Sequence, residues 1–144
     1  VVHPVEGPNG IGLSPDGTKV YWAETHSGRV FQRTIASPGV LEPLPPLDPG
    51  LLVGLPGYQL FDSLAVDGEG NVCVATLVNG GITVISPDDG STTHIPTGDL
   101  LTTNICFGDS DGSGEYRDAY ITCSGTGRLL HMRWPSPGLR LNYV

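Results

Sequence analysis

Three stretches of this chain repeat one grammar. The first reads NGIGLSPDGTKVYWAETHSGRVFQRTI from Asn9, the second DSLAVDGEGNVCVATLVNGGITVISP from Asp62, and the third NICFGDSDGSGEYRDAYITCSGTGRLLHMRW from Asn104. In each, a polar residue opens a short apolar strand, and an Asp/Gly turn follows: SPDG, VDGEG or GDSDGSGE. A second strand comes next (KVYWAE, NVCVAT, DAYITC), then a small-residue turn (HSG, NGG, SGTG), then a third strand (RVFQRTI, ITVISP, RLLHMRW). KVYWAE and RVFQRT alternate with a period of two, and helical periodicity is almost absent. Each repeat must bury a face on its neighbour, so the repeat constrains the fold more than composition does.

The units start 53 residues apart (Asn9 to Asp62) and 42 apart (Asp62 to Asn104). The first is longer because of SPGVLEPLPPLDPGLLVGLPGY, where Pro38, Pro43, Pro45, Pro46 and Pro49 preclude a regular helix or inner strand. Repeats of ~40–50 residues with about four strands each are the signature of β-propeller blades. The expectation is an all-β chain of about three four-stranded blades, residues 1–144 forming a single partial propeller domain. In a propeller the first strand of each blade lies nearest the axis. The starts of three such strands, at Asn9, Asp62 and Asn104, then converge at the mouth of the central channel. Three oxygen-bearing side chains there suit a cation or a polar ligand. The alternative is that each residue merely finishes a turn; the shared register favours convergence.

Composition narrows the function classes. Gly 21 and Pro 13 are high for 144 residues, but a 38% hydrophobic fraction still builds a core, so short strands and tight turns are expected rather than disorder. The net charge is −8, and no basic run occurs. Partners among nucleic acids or anionic membranes are therefore not expected. No apolar run approaches the ~20 residues of a membrane span, and the opening VVHPVEG does not read as a signal peptide. Cys73, Cys106 and Cys123 all lie in apolar segments, with no CxxC or HxxxH spacing. They read as small buried hydrophobes rather than a disulfide framework or a zinc site, which favours a reducing, cytoplasmic setting.

Other polar features weigh less. Ser14 and Ser63 lack a nucleophile-elbow context. His3, His94 and His131 show no ligand spacing. DSDGSGE (109–115) starts like a calcium loop, but its glutamate comes too soon and strands flank it, so it reads as a hairpin loop. Trp22 and Trp134 read as blade packing.

PNGIGLSPDG together with FDSLAVDGEGNVCVA resembles the gluconolactonase and regucalcin (senescence-marker protein) family of six-bladed propellers. TTNICFGD, DAYITCSGTGRL and the closing RWPSPGLRLNYV extend the resemblance over nearly the whole chain, which looks like the C-terminal half of the family's chain. The resemblance implies that Asn9 is a ligand of a catalytic divalent metal, and that Asp62 is both a ligand and the acid–base residue. Phe61 stands where the family commonly has proline. The family's metal-binding glutamate near the chain start, and substrate-binding residues of its earlier blades, have no match here. His26, in ETHSG, sits in a turn that can lie near the family's pocket, though an exposed turn histidine is the plainer reading. Asn104 faces either the channel and substrate or the turn after it, and Thr103 is a weaker candidate of the same kind.

The implied chemistry is hydrolysis of a small-molecule lactone. Calcium comes first by ligand type, with zinc, magnesium or manganese as substitutes. Asp62 would take a proton from the attacking water and pass it to the leaving ring oxygen. A phosphotriesterase-like hydrolase and a non-catalytic calcium-binding scaffold are the alternatives. Three blades alone leave open faces, so a complementary half-propeller on another chain, or self-association, is expected.

Overall fold

The computed structural model describes residues 2–109 and 112–140. They form twelve strands in three antiparallel sheets and no helix. None of them belongs to a helix long and apolar enough to cross a membrane. The chain is part of a β-propeller, and each sheet is one blade.

In the first blade, β1 (Pro8–Leu13) pairs with β2 (Lys19–Glu24), and β2 with β3 (Arg29–Ser37). The proline-rich stretch supplies two short outer strands, β4 (Val40–Leu41) and β5 (Leu51–Gly54), both paired to β3. The regular strand resumes only after Pro49 because proline cannot donate to a ladder. The second blade is β6 (Leu60–Val66), β7 (Val72–Leu77), β8 (Gly81–Ile85) and β9 (Thr92–Pro96), in that order. The third blade has β10 (Thr102–Gly108), β11 (Asp118–Cys123) and β12 (Arg128–Arg133). Where a fourth strand was expected, the described chain instead turns back. Trp134 N donates to Arg117 O, Gly138 N to Tyr116 O and Gly68 N to Pro137 O, at 2.7, 2.8 and 2.7 Å. Gly138 also bridges Asp67 of the second blade.

The core lies between blades, not within them. Tyr21, Ala23 and Val30 pack with Leu64, Val66, Val72 and Val74 at the first joint. Cys73, Ala75 and Ile82 pack with Ile105, Ala119, Ile121 and Trp134 at the second. The tryptophans serve packing, as expected: Trp22 stacks on Phe31 at 5.3 Å between centroids, and Trp134 tilts against Phe107 at 5.6 Å. Cys73 and Cys123 are buried free thiols, but Cys106 is exposed, contrary to expectation. It lies on the third-blade face turned away from the second blade, which no other blade covers among the described residues. Of the segment 109–115, Ser110 and Asp111 lie outside the described residues; its flanks are the paired strands β10 and β11.

Candidate functional site

Each inner strand carries a bulge near its start, with one more residue on that strand than on its partner. In β1 the extra residue falls between Pro8, opposite Glu24, and Ile11, opposite Trp22. In β6 it falls between Phe61, opposite Thr76, and Leu64, opposite Val74. In β10 it falls between Thr102, opposite Cys123, and Asn104, opposite Thr122. Bulges cluster next to functional sites because they re-aim a side chain.

Counted from these rungs, Asn9, Asp62 and Thr103 are equivalent, each one residue past the pair that precedes the bulge. The third member of the set is therefore Thr103, not Asn104, and the spacing from Asp62 is one residue shorter than the sequence suggested. TTN offers three polar residues in a row, and only the pairing register selects among them.

Gly10 explains why a glycine follows Asn9. A Cβ there would lie 2.6 Å from Leu64 N and 2.8 Å from Asp62 O. The backbone of β1 thus rests directly on the backbone of β6 beside Asp62. Asn9 and Asp62, far apart in sequence, lie at matching positions on touching strands.

Asn9 is exposed, and its Nδ2 donates to Thr25 Oγ1 at 3.3 Å, which leaves Oδ1 without a donor among the described residues. Asp62 is half-buried, and its carboxylate receives no protein hydrogen bond among the described residues. Thr103 Oγ1 lies 2.8 Å from Thr122 Oγ1 and 3.0 Å from Ser124 Oγ. Asn104 is exposed, and its Oδ1 accepts from Ile105 N at 2.9 Å, so its carbonyl is turned back on its own strand. His26 is exposed in the β2–β3 turn, with Cδ2 3.1 Å from where a Gly7 Cβ would stand. It thus sits at the same end of the first blade as Asn9.

Glu24 escaped the sequence reading. It is 8% exposed and faces Pro8 across the β1–β2 ladder. Its Oε1 accepts from Glu6 N at 3.1 Å and its Oε2 from Ser27 Oγ at 2.8 Å. A strand ending in an acid, as KVYWAE does, was the available signal. Both oxygens are engaged, so Glu24 braces the segment leading into Asn9.

The donor chemistry fits a hard divalent cation in part. Asn9 Oδ1 and the Asp62 carboxylate are oxygen donors free of partners among the described residues. Among the described residues no group of three or more His, Cys, Asp or Glu gathers around one point. Calcium takes about 6–8 oxygens, so two residues supply a minority of a shell. Further toward the opposite end, the inner strands line a cavity of ≈ 430 Å³ with Ile11, Leu13, Leu64, Val66, Ile105 and Phe107. These six side chains are apolar, and Ser14, Cys106 and Arg140 add polar groups to the lining.

The family model described as "SMP-30/Gluconolactonase/LRE-like region" matches residues 1–125. The chain belongs to this family. None of the curated proteins compared with it matches. Among solved structures, a gluconolactonase from Xanthomonas campestris has 23% identity and a TM-score of 0.70, over 93% of this chain and 40% of that one. The calcium-binding protein regucalcin from Agrobacterium tumefaciens gives 19% and 0.68, over 93% and 50%. A periplasmic gluconolactonase from Pseudomonas aeruginosa gives 17% and 0.61, over 96% and 43%. The chain thus spans 40–50% of the length of these structures.

Proposed function

We propose that this chain contributes Asn9 and Asp62 to the centre of a metal-dependent lactonase. The observation that carries the reading is their placement. Two oxygen donors without protein partners stand at equivalent bulges of touching inner strands, in a chain of a family that includes gluconolactonases.

Asn9 and Asp62 would hold the cation, calcium first and zinc, magnesium or manganese as substitutes. When bound, such an ion supplies Lewis-acid polarisation of the lactone carbonyl. Asp62 takes the proton from the attacking water at a carboxylate oxygen and returns it to the ring oxygen as the ring opens. Asn9 contributes an oxygen without charge, and Thr25 fixes its amide so that Oδ1 points away from Thr25. Thr103 and His26 would meet a substrate hydroxyl, with Asn104 Nδ2 as a further donor. The remaining ligands come from outside this set of residues, from another blade, substrate and water.

The test is gluconolactone hydrolysis with and without chelator, beside an aliphatic lactone and a phosphotriester. Asp62→Asn should lower turnover by roughly 10²–10⁴-fold while circular dichroism is unchanged. Asn9→Ala should weaken calcium binding in calorimetry. Near-normal turnover in Asp62→Asn removes the general base; calcium binding with no chelator-sensitive turnover on any substrate leaves a binding scaffold.

A further inference from the structure

The middle blade presents different chemistry at its two ends. β6 runs away from Asp62, β7 returns and β8 runs away again. The β7–β8 turn and the connections into β6 and β10 therefore lie at the end that holds Asp62. Four large apolar side chains stand exposed there: Tyr58 (72%) ahead of β6, Val78 (41%) in the β7–β8 turn, and Leu100 (67%) and Leu101 (46%) ahead of β10. At the opposite end the turns of the same blade read DGEGN (67–71) and SPDDGS (86–91), with no large apolar residue. This blade has a neighbour packed on each face, so the exposure of its end loops is not that of an uncovered blade face.

These loops are tied to one another and to the candidate centre. Val78 N donates to Leu100 O at 2.8 Å, and Ser124 N to Leu101 O at 2.9 Å. The Ser124 hydroxyl lies 3.0 Å from Thr103 Oγ1, and Leu101 precedes Thr103 by two residues. On the other side Asn79 Nδ2 donates to Gln59 Oε1 at 3.4 Å, beside Tyr58. Val78 is also strained: its φ of 71° lies in the left-handed region, which a β-branched residue rarely enters. The corresponding turn of each blade holds four residues between its closing pair (Glu24 and Arg29, Thr76 and Gly81, Cys123 and Arg128). Val78 thus stands where His26 stands in the first blade and Gly125 in the third, neither of which has a positive φ. A strained, exposed valine beside two exposed leucines costs folding stability, and such strain and such apolar patches concentrate at ligand sites.

We propose that these side chains receive an apolar chain on the substrate, so that the preferred lactone carries an alkyl substituent in place of the hydroxyls of a sugar acid. This rests on the lactonase reading: the ring lies at Asp62, and its substituent runs outward over Leu101, Leu100 and Val78, with Tyr58 beside it. A polyhydroxylated substituent laid on the same residues would lose water without gaining hydrogen bonds. The net charge of −8 disfavours an anionic bilayer as the occupant. The four are specificity residues and take no part in proton transfer.

The test compares turnover of γ-lactones of rising alkyl length, methyl to octyl, with calorimetric affinity for the matching alkyl lactams, which resist hydrolysis. Lactam affinity should rise roughly two- to fourfold per methylene over the shorter chains, and kcat/KM of the lactones with it. Val78→Gly suits the left-handed backbone and should leave the urea midpoint no lower, yet it should flatten both slopes with chain length. Leu100→Ser, at an exposed position, should flatten them too. Lactam affinity that rises with chain length while no lactone shows chelator-sensitive turnover retains the apolar-ligand site and removes the lactonase reading. A flat lactam series, or slopes that neither variant moves, would overturn the proposal. Co-sedimentation with phosphatidylcholine vesicles that both variants abolish, beside a flat lactam series, would assign the patch to a membrane surface instead.

Discussion

At the scale of single residues, the candidate centre depends on how close two backbones come. Gly10 lets β1 touch β6 beside Asp62, and the missing side chain is the reason Asn9 and Asp62 can share a locale. Gly10→Ala should cost about 1–3 kcal/mol, because backbone atoms cannot yield to the new methyl. The urea midpoint should fall accordingly, with an unchanged slope. That Asn9 and Asp62 hold equivalent places at the starts of inner strands was legible in the sequence through the repeat, and the pairing register agrees. The repeat put Asn104 at the third equivalent place and the register puts Thr103 there, since a bulge adds a residue that apolar spacing alone does not reveal. Glu24 and Asp99 were not legible as buried acids, because their burial depends on which neighbouring amides and hydroxyls fold around them.

At the scale of strands and turns, carboxylates knit the blade ends. Asp99, 3% exposed, accepts from Leu101 N at 2.8 Å and from Gly125 N and Thr126 N at 3.2 and 2.7 Å. It ties the β9–β10 connection to the β11–β12 turn. The Thr126 hydroxyl first, then these amides, hold its carboxyl below the usual range. Ser14 and Thr18 lower Asp16 from 3.8 to about 2, and the backbone and hydroxyl of Ser91 lower Asp89. In each case the unfolded chain binds a proton more readily than the folded one. The stabilisation is therefore complete above the ordinary value near 3.8 and is lost as pH falls through each lowered value, about 2 for Asp16. Tm should drop through that window, and Asp16→Asn or Asp99→Asn should flatten the drop. Asp67 is a second tie: fully buried, it accepts from Glu69 N, Asn71 N, Asn71 Nδ2 and Ser136 Oγ. Asp67→Ala strands those donors and should cost about 3 kcal/mol in chemical denaturation. The strands themselves were readable from period-two alternation and Asp/Gly turns, and β2, β7 and β11 fall on the expected segments. The outer strand of the first blade was not, because proline obscured where pairing resumes.

At the scale of the whole molecule, the blades are held to one another unequally. The first two meet through side chains and the glycine contact of β1 on β6. The second and third meet through side chains and also through a strap: Trp134–Arg140 returns from β12 to hydrogen-bond Gly68 and bridge Asp67, while its Leu139 packs against the core of the first joint. A fold-level repeat predicts three like units, but it does not predict this asymmetry, which arises from a segment outside the repeat. Blade architecture was legible from the repeat length; the return of Trp134–Arg140 to the second blade was not. The strap carries a consequence for the order of disassembly. Amide hydrogens of β6, β7, β10 and β11 should exchange with deuterium more slowly than those of β1, β2 and β3. Cutting the chain ahead of Trp134 should erase most of that difference, leaving the blades to come apart on more nearly equal terms.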